Sequence, residues 1–214
     1  MGHEKSEVER VLAAWRTLTD WLAEHAPTSH ASILPPASER ELADADRTLN
    51  SALGFGLPSE MVALWSLAGG TRHVDIDALD EQGEVHTGRF LPGGVLLSPG
   101  VSVGPRLHFG AACDANYAGP WVAFLGNDEE APDLGRYAGA RGVGGWQTYE
   151  GGDAGSPVWP SVAAYLEAVN RALTEGPADL LGPDLPGLVY GCLVWEDPAN
   201  PAMTQALEDW RPLR

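Results

Sequence analysis

The segment Gly100-Val101-Ser102-Val103-Gly104 has the spacing G-x-S-x-G. That pattern presents a serine for nucleophilic attack when a strand precedes it and a helix follows. Here Pro105-Arg106-Leu107-His108-Phe109 reads as extended chain. The order serine, acid, histidine also fails, because His108 is the only histidine after Ser102 and no acid lies between them. The segment therefore reads as a turn between strands, and Ser102 as no nucleophile. Asp75, Asp77 and Asp80 invite a calcium reading. A calcium loop needs oxygen ligands at positions 1, 3 and 5 and glycine at 6. Counting from Asp75 puts Leu79 and Asp80 there, so a solvated loop is expected. Gly139-Ala140-Arg141-Gly142-Val143-Gly144-Gly145 contains neither phosphate-cradling pattern and reads as a flexible hairpin. His73, His86 and His108 share no metal-ligand spacing and read as strand-face residues. No catalytic residue, metal site or cofactor is expected.

One constellation remains. Asn127-Asp128-Glu129-Glu130 with Asp133 is the densest acidic cluster and follows an aromatic, β-like run. Asp128, Glu129, Glu130 and Asp133 are the candidate contacts for a basic protein partner. The chain's charge agrees, with 13 Lys and Arg against 30 Asp and Glu, a net −17 over 214 residues. Nucleic acids and anionic membranes are bound through Lys and Arg, so both are excluded as partners. Long-range attraction favours basic proteins instead. No run approaches the ~18 apolar residues of a membrane span, and Met1-Gly2-His3-Glu4-Lys5 opens no signal peptide. With Cys113 and Cys192 as isolated cysteines, a cytoplasmic protein is expected.

The elements that must position this cluster follow from periodicity. Val8, Val11, Leu12, Trp15, Leu18 and Leu22 form one helical stripe, stopped by Pro27. Ser38-x-x-Glu41 is a capping box and opens a second helix through Leu42, Ala45 and Leu49 to Gly54. Leu57-Pro58-Ser59-Glu60 opens a third, with Pro58 in its first turn. Its buried face is Met61, Leu64, Trp65 and Ala68, and Gly69-Gly70 supplies a left-handed cap. Short β-like runs come next: Val85–Phe90, Val95–Leu97, Val101–Val103, Trp121–Leu125 and Gly145–Tyr149. A last helix starts at Ser161, carries Val162, Tyr165, Leu166, Val169 and Leu173, and ends at Gly176-Pro177. The tail contains Leu188 to Trp195, too apolar for a free end. The expected fold is α+β, with N-terminal helices, a central mixed or antiparallel twisted sheet and a packing C-terminal helix. Residues 1–176 form the domain, and 177–214 a Pro-rich, ordered extension packed on it.

This order resembles the SMI1/KNR4 (SUKH) family. The stretches that carry the resemblance are Leu34–Leu42, Leu53–Pro58, Leu64–Gly70, Phe90–Ser98, Trp121–Asn127 and Val158–Leu166, within residues 8–175. The family is similar in having an α+β fold and no catalytic signature. The resemblance implies a non-catalytic binding role, foremost that of a bacterial immunity or antitoxin-like protein neutralising a basic, nuclease-type toxin. A regulatory or scaffold role, as for fungal members in cell-wall synthesis, is the alternative. An enzyme whose site these motifs do not reveal is the third reading. The chain departs from the family in having Ala123 where a proline is usual, and in its tail beyond Gly176.

Overall fold

The apolar stripe from Val8 to Leu22 winds into α1 (Gly2–His25), with Val11, Leu18 and Leu22 fully buried. The computed structural model describes residues 2–76, 85–104, 121–148, 153–176, 184–197, 199 and 210–213. A short α2 (Pro27–Ala31) follows, and then α3 (Glu39–Leu53). At α3 the Ser38 hydroxyl accepts from the Glu41 amide and the Glu41 carboxylate accepts from the Ser38 amide, which is the expected capping box. α4 is Ser59–Trp65, so Pro58 sits at its N-cap, one position earlier than the sequence suggests.

The first sheet is antiparallel throughout, in the order β1-β2-β3-β4-β5. Its strands are β1 (Val95–Leu96), β2 (Trp121–Gly126), β3 (Leu134–Gly139), β4 (Gly142–Gln147) and β5 (Asp153–Ala154). Side chains alternate across the sheet. Val122 and Phe124 of β2 join the helices in the main core, whereas Trp121 and Ala123 join Val95, Leu97, Tyr137 and Trp146 on the far face. The register shifts between Ala123 and Leu125. This bulge turns Leu125 to the helical side beside Phe124. The last helix, α6 (Val162–Thr174), is capped by Ser161 and lies along α1 and α4.

Several expectations need correction. Val101–Val103 is not a strand: Pro99–Ser102 forms the short helix α5, capped by the Ser98 hydroxyl. Proline at a first turn and serine before it favour that helix over the β tendency of valine. Val85–Phe90 forms no strand either, although Val85, Thr87 and Phe90 are buried. A turn at Thr87-Gly88 breaks the run. The glycines after α4 do not supply a left-handed cap. Ser66, right-handed, is the C-cap, and Gly70 has φ 139°. A side chain at Gly70 would meet Leu96 O at 3.1 Å. The Gly139–Gly145 segment is the β3–β4 hairpin, paired from Gly139↔Gly142 outward. Tyr149 and His108 lie outside the described residues.

The extension is ordered where it is described, and it builds a second sheet that the sequence did not announce. β6 (Leu185–Val189) and β7 (Cys192–Glu196) form a hairpin, and β8 (Arg211–Pro212) joins β6 on its other side. The turn is Tyr190-Gly191, with φ 51° and 74°, both positive as a two-residue hairpin of right-handed twist requires. Leu193 enters the main core, while Val189 and Cys192 pack with Val85. Hydrogen bonds to α2 and to Phe90 dock the hairpin. Thr28 N donates to Gly191 O (2.9 Å), Leu193 N to the Ser29 hydroxyl (3.0 Å) and Trp195 Nε1 to Phe90 O (2.9 Å).

Trp65 is fully buried, and its indole N–H donates to Leu97 O at 2.9 Å. Trp65→Ala is expected to cost about 3–5 kcal/mol as a large-to-small core change. Chemical denaturation measures it, and a loss below ~1 kcal/mol would contradict the assignment of Trp65 to the core. Truncation after Gly176 removes Leu193 and the docking bonds to α2 and Phe90. It is expected to lower the denaturation midpoint and drive self-association. An unchanged midpoint with monomeric light scattering would show that the domain stands without the extension.

Candidate functional site

The acidic loop spans Asn127–Asp133, between β2 and β3. Asn and Asp begin such loops because their side chains mimic a backbone turn. Asn127 closes this one. Its amide donates to Leu134 O (2.9 Å), and its Oδ1 accepts from the amides of Asp133 (2.8 Å) and Leu134 (3.2 Å). Asp128 Oδ1 accepts from the Glu130 and Ala131 amides at 2.8 and 2.7 Å. Those two amides, that of Ala131 first, hold the Asp128 carboxyl below its ordinary range. Pro132 is buried beneath.

The four predicted carboxylates therefore share one loop but not one role. Glu129 Oε2 accepts from the His73 amide at 2.9 Å and lies 3.8 Å from His86 Nε2. Asp133 receives the Thr148 hydroxyl on Oδ1 at 3.3 Å, and its carbonyl receives the Thr148 amide at 2.7 Å. Asp128 and Glu130 are the exposed pair. Positive charge is interleaved here, since the Arg89 guanidinium donates to Asn127 O. The surface is thus a set of carboxylates around a cationic stitch, with those of Asp128, Glu129 and Asp133 held by hydrogen bonds.

His73 and His86 meet in a way their spacing does not reveal. Their rings lie edge to face with centroids 5.1 Å apart, and neither residue is in a strand. Burial first, then Arg89, push His86 below its ordinary range, so it is neutral at physiological pH. Asp75 is fully exposed, 3.7 Å from His73 Nε2. Asp77 and Asp80 lie outside the described residues. Among the described residues, no three His, Cys, Asp or Glu are placed to hold a metal ion. Ser102 ends α5 at 2% exposure, and its hydroxyl has no hydrogen-bond partner among the described residues. Among the described residues, no helix is long and apolar enough to cross a membrane.

A second constellation was only half legible. Arg10 grips Glu167 with two parallel bonds, from Nε (2.9 Å) and Nη2 (2.7 Å), and reaches Glu7 with Nη1 (2.7 Å). The Glu7-x-x-Arg10 spacing announces the local pair, but nothing in sequence points to Glu167. Nearby, the Glu60 carboxylate accepts from Ala163 N (3.0 Å) and Val162 N (3.4 Å), the free amides of the first turn of α6. Burial raises Glu60 above its ordinary range, partly offset by those amides. Glu7, Arg10 and Glu60 border a cleft of about 670 Å³, walled by Phe55, Leu57, Pro58 and Pro160. The internal pairing of its charges makes this cleft a joint between α1, α4 and α6.

A scan against protein-family models and a search of curated proteins return no match for this chain.

Proposed function

We propose that this protein is a non-catalytic binding module whose acidic surface steers a basic protein partner, acting as an immunity or antitoxin-like protein. The observation that carries the reading is the ordered Asn127–Asp133 loop, with Asp128 and Glu130 outward, on a chain of net charge −17. A pre-ordered loop loses little conformational entropy on binding, and a negative field accelerates encounter with basic proteins. A toxin that cuts nucleic acid must carry basic surface to hold phosphates, so an acidic protein matches it and would cover the surface its substrate needs. The motif order shared with the SMI1/KNR4 family supports the same role, and a cytoplasmic location suits it. A second reading, a regulatory or scaffold role, is favoured by the docked β6–β7–β8 sheet, which adds a surface the resemblance does not cover.

The test must remove charge without unmaking the loop. Asp128→Ser would sacrifice two backbone bonds, whereas Asp128→Asn keeps the acceptor. The combined variant Asp128→Asn, Glu129→Gln, Glu130→Gln and Asp133→Asn is therefore the informative one. With the partner recovered by pull-down from the native host, stopped-flow should show the on-rate falling in this variant more than the off-rate rises. It should also fall with salt, as the screening length shortens from roughly 10 Å at 0.1 M to 3 Å at 1 M. An acidic partner, or an on-rate indifferent to both changes, would refute steering.

A further inference from the structure

Of the arginines among the described residues, only Arg10 and Arg136 are not exposed. Arg10 is held by two carboxylates. Arg136 is held by none: no described carboxylate reaches ion-pair distance, and its buried Nε has no acceptor. Asp184 feels its field without pairing with it. The side chain is nevertheless carefully seated. Its guanidinium carbon lies 5.5 Å from the centre of the Trp159 ring. Two glycines make room for it. A side chain at Gly93 would strike Arg136 Cγ at 2.7 Å, and one at Gly145 would approach Nη1 at 3.3 Å.

A cation–π contact of this kind does not use the N–H donors in the guanidinium plane. Around that plane lies a pocket of about 400 Å³, lined by Gly93, Leu134, Arg136, Gly145, Trp146 and Gln147. On so acidic a chain, a seated but unpaired cation in a cavity has an unmet demand for a negative group. A single guanidinium balances one charge, and its fork matches the two oxygens of a carboxylate. A phosphate dianion would meet twice the repulsion from the chain's net charge, with no second cation among the described residues of the pocket wall.

We infer that the Arg136 pocket is a binding site for a carboxylate group, held in the guanidinium plane and walled by Gly93, Gly145 and Gln147. The site is separate from the acidic loop and does not depend on the function proposed for it. The carboxylate comes either from a small organic acid or from a polypeptide.

The experiment follows the side-chain N–H signals of Arg136 by NMR in the full-length, ¹⁵N-labelled protein. Sodium acetate, N-acetylalanine and N-acetylglutamic acid α-amide each replace sodium chloride at constant ionic strength. The expected result is a saturable shift at Arg136 and at the Trp159 indole, weakened by about tenfold or more in Arg136→Gln. Gly145→Ala, which crowds Nη1 without removing the charge, should also weaken it and serves if Arg136→Gln fails to fold. Tighter binding of either peptide-like probe than of acetate would assign the site to a polypeptide carboxylate, and equal binding to a small acid. Non-saturating shifts, shifts that persist in both variants, or an equal response to inorganic phosphate would overturn the inference.

Discussion

The structure depends on closing the outer edge of β1. An edge strand presents unpaired amides and carbonyls, and β1 is short, carries a buried Leu96 and lies next to the helices. Thr71 closes it. Its amide donates to Leu96 O at 2.8 Å, and its hydroxyl accepts from Leu96 N at 2.9 Å and donates to Gly88 O at 3.0 Å. The same strap bonds backward to the connector after α2, with Leu34 N on Gly70 O, Gly69 N on Pro35 O and Arg72 N on Ser32 O. Trp65 adds its indole to Leu97 O from the helix just before. One short segment thus joins the helical layer, the sheet and the 85–90 segment. Its residues must be small or turn-compatible for that reason.

What was legible in the sequence was local. The capping box at Ser38, the cap at Ser161 and the stripes of α1 and α6 depend on neighbours a few residues away, and they formed as read. The α+β class follows from the same signals. β3 was passed over because Leu134-Gly135-Arg136-Tyr137-Ala138-Gly139 mixes glycine and arginine into a strand that is central in its sheet. There Gly135 is required, since a side chain would collide with Leu125 O at the bulge. Val101–Val103 was misread because capping by Ser98 outweighs valine's preference. In the candidate site, the placement of the acidic loop after the aromatic strand was legible. The meeting of Glu129 with His73 and His86, and the seat of Arg136, are long-range contacts that no spacing encodes.

The few cations are distributed with consequences for an acidic fold. Arg10 holds the Glu167 carboxyl below its ordinary range and ties α1 to α6, the most extensive helix pairing in the domain. Glu60, by contrast, is a carboxylate kept near that joint by helix amides and raised by burial. The two acids thus shift in opposite directions, Glu167 through its bond to Arg10 and Glu60 through burial. Added salt therefore screens the part-exposed Arg10–Glu167 pair as it does the surface loop, and the half-buried Glu60 less.

The hairpin of the extension carries a clock. Cys192 is fully buried, and burial pushes its thiol up to about 11. A thiol reagent needs both the thiolate and a path to it, and the folded protein provides neither. Modification of Cys192, resolved from that of Cys113, therefore proceeds through openings that uncover β7 from its packing. Its rate counts those openings one by one, and so separates local release of the extension from unfolding of the whole chain.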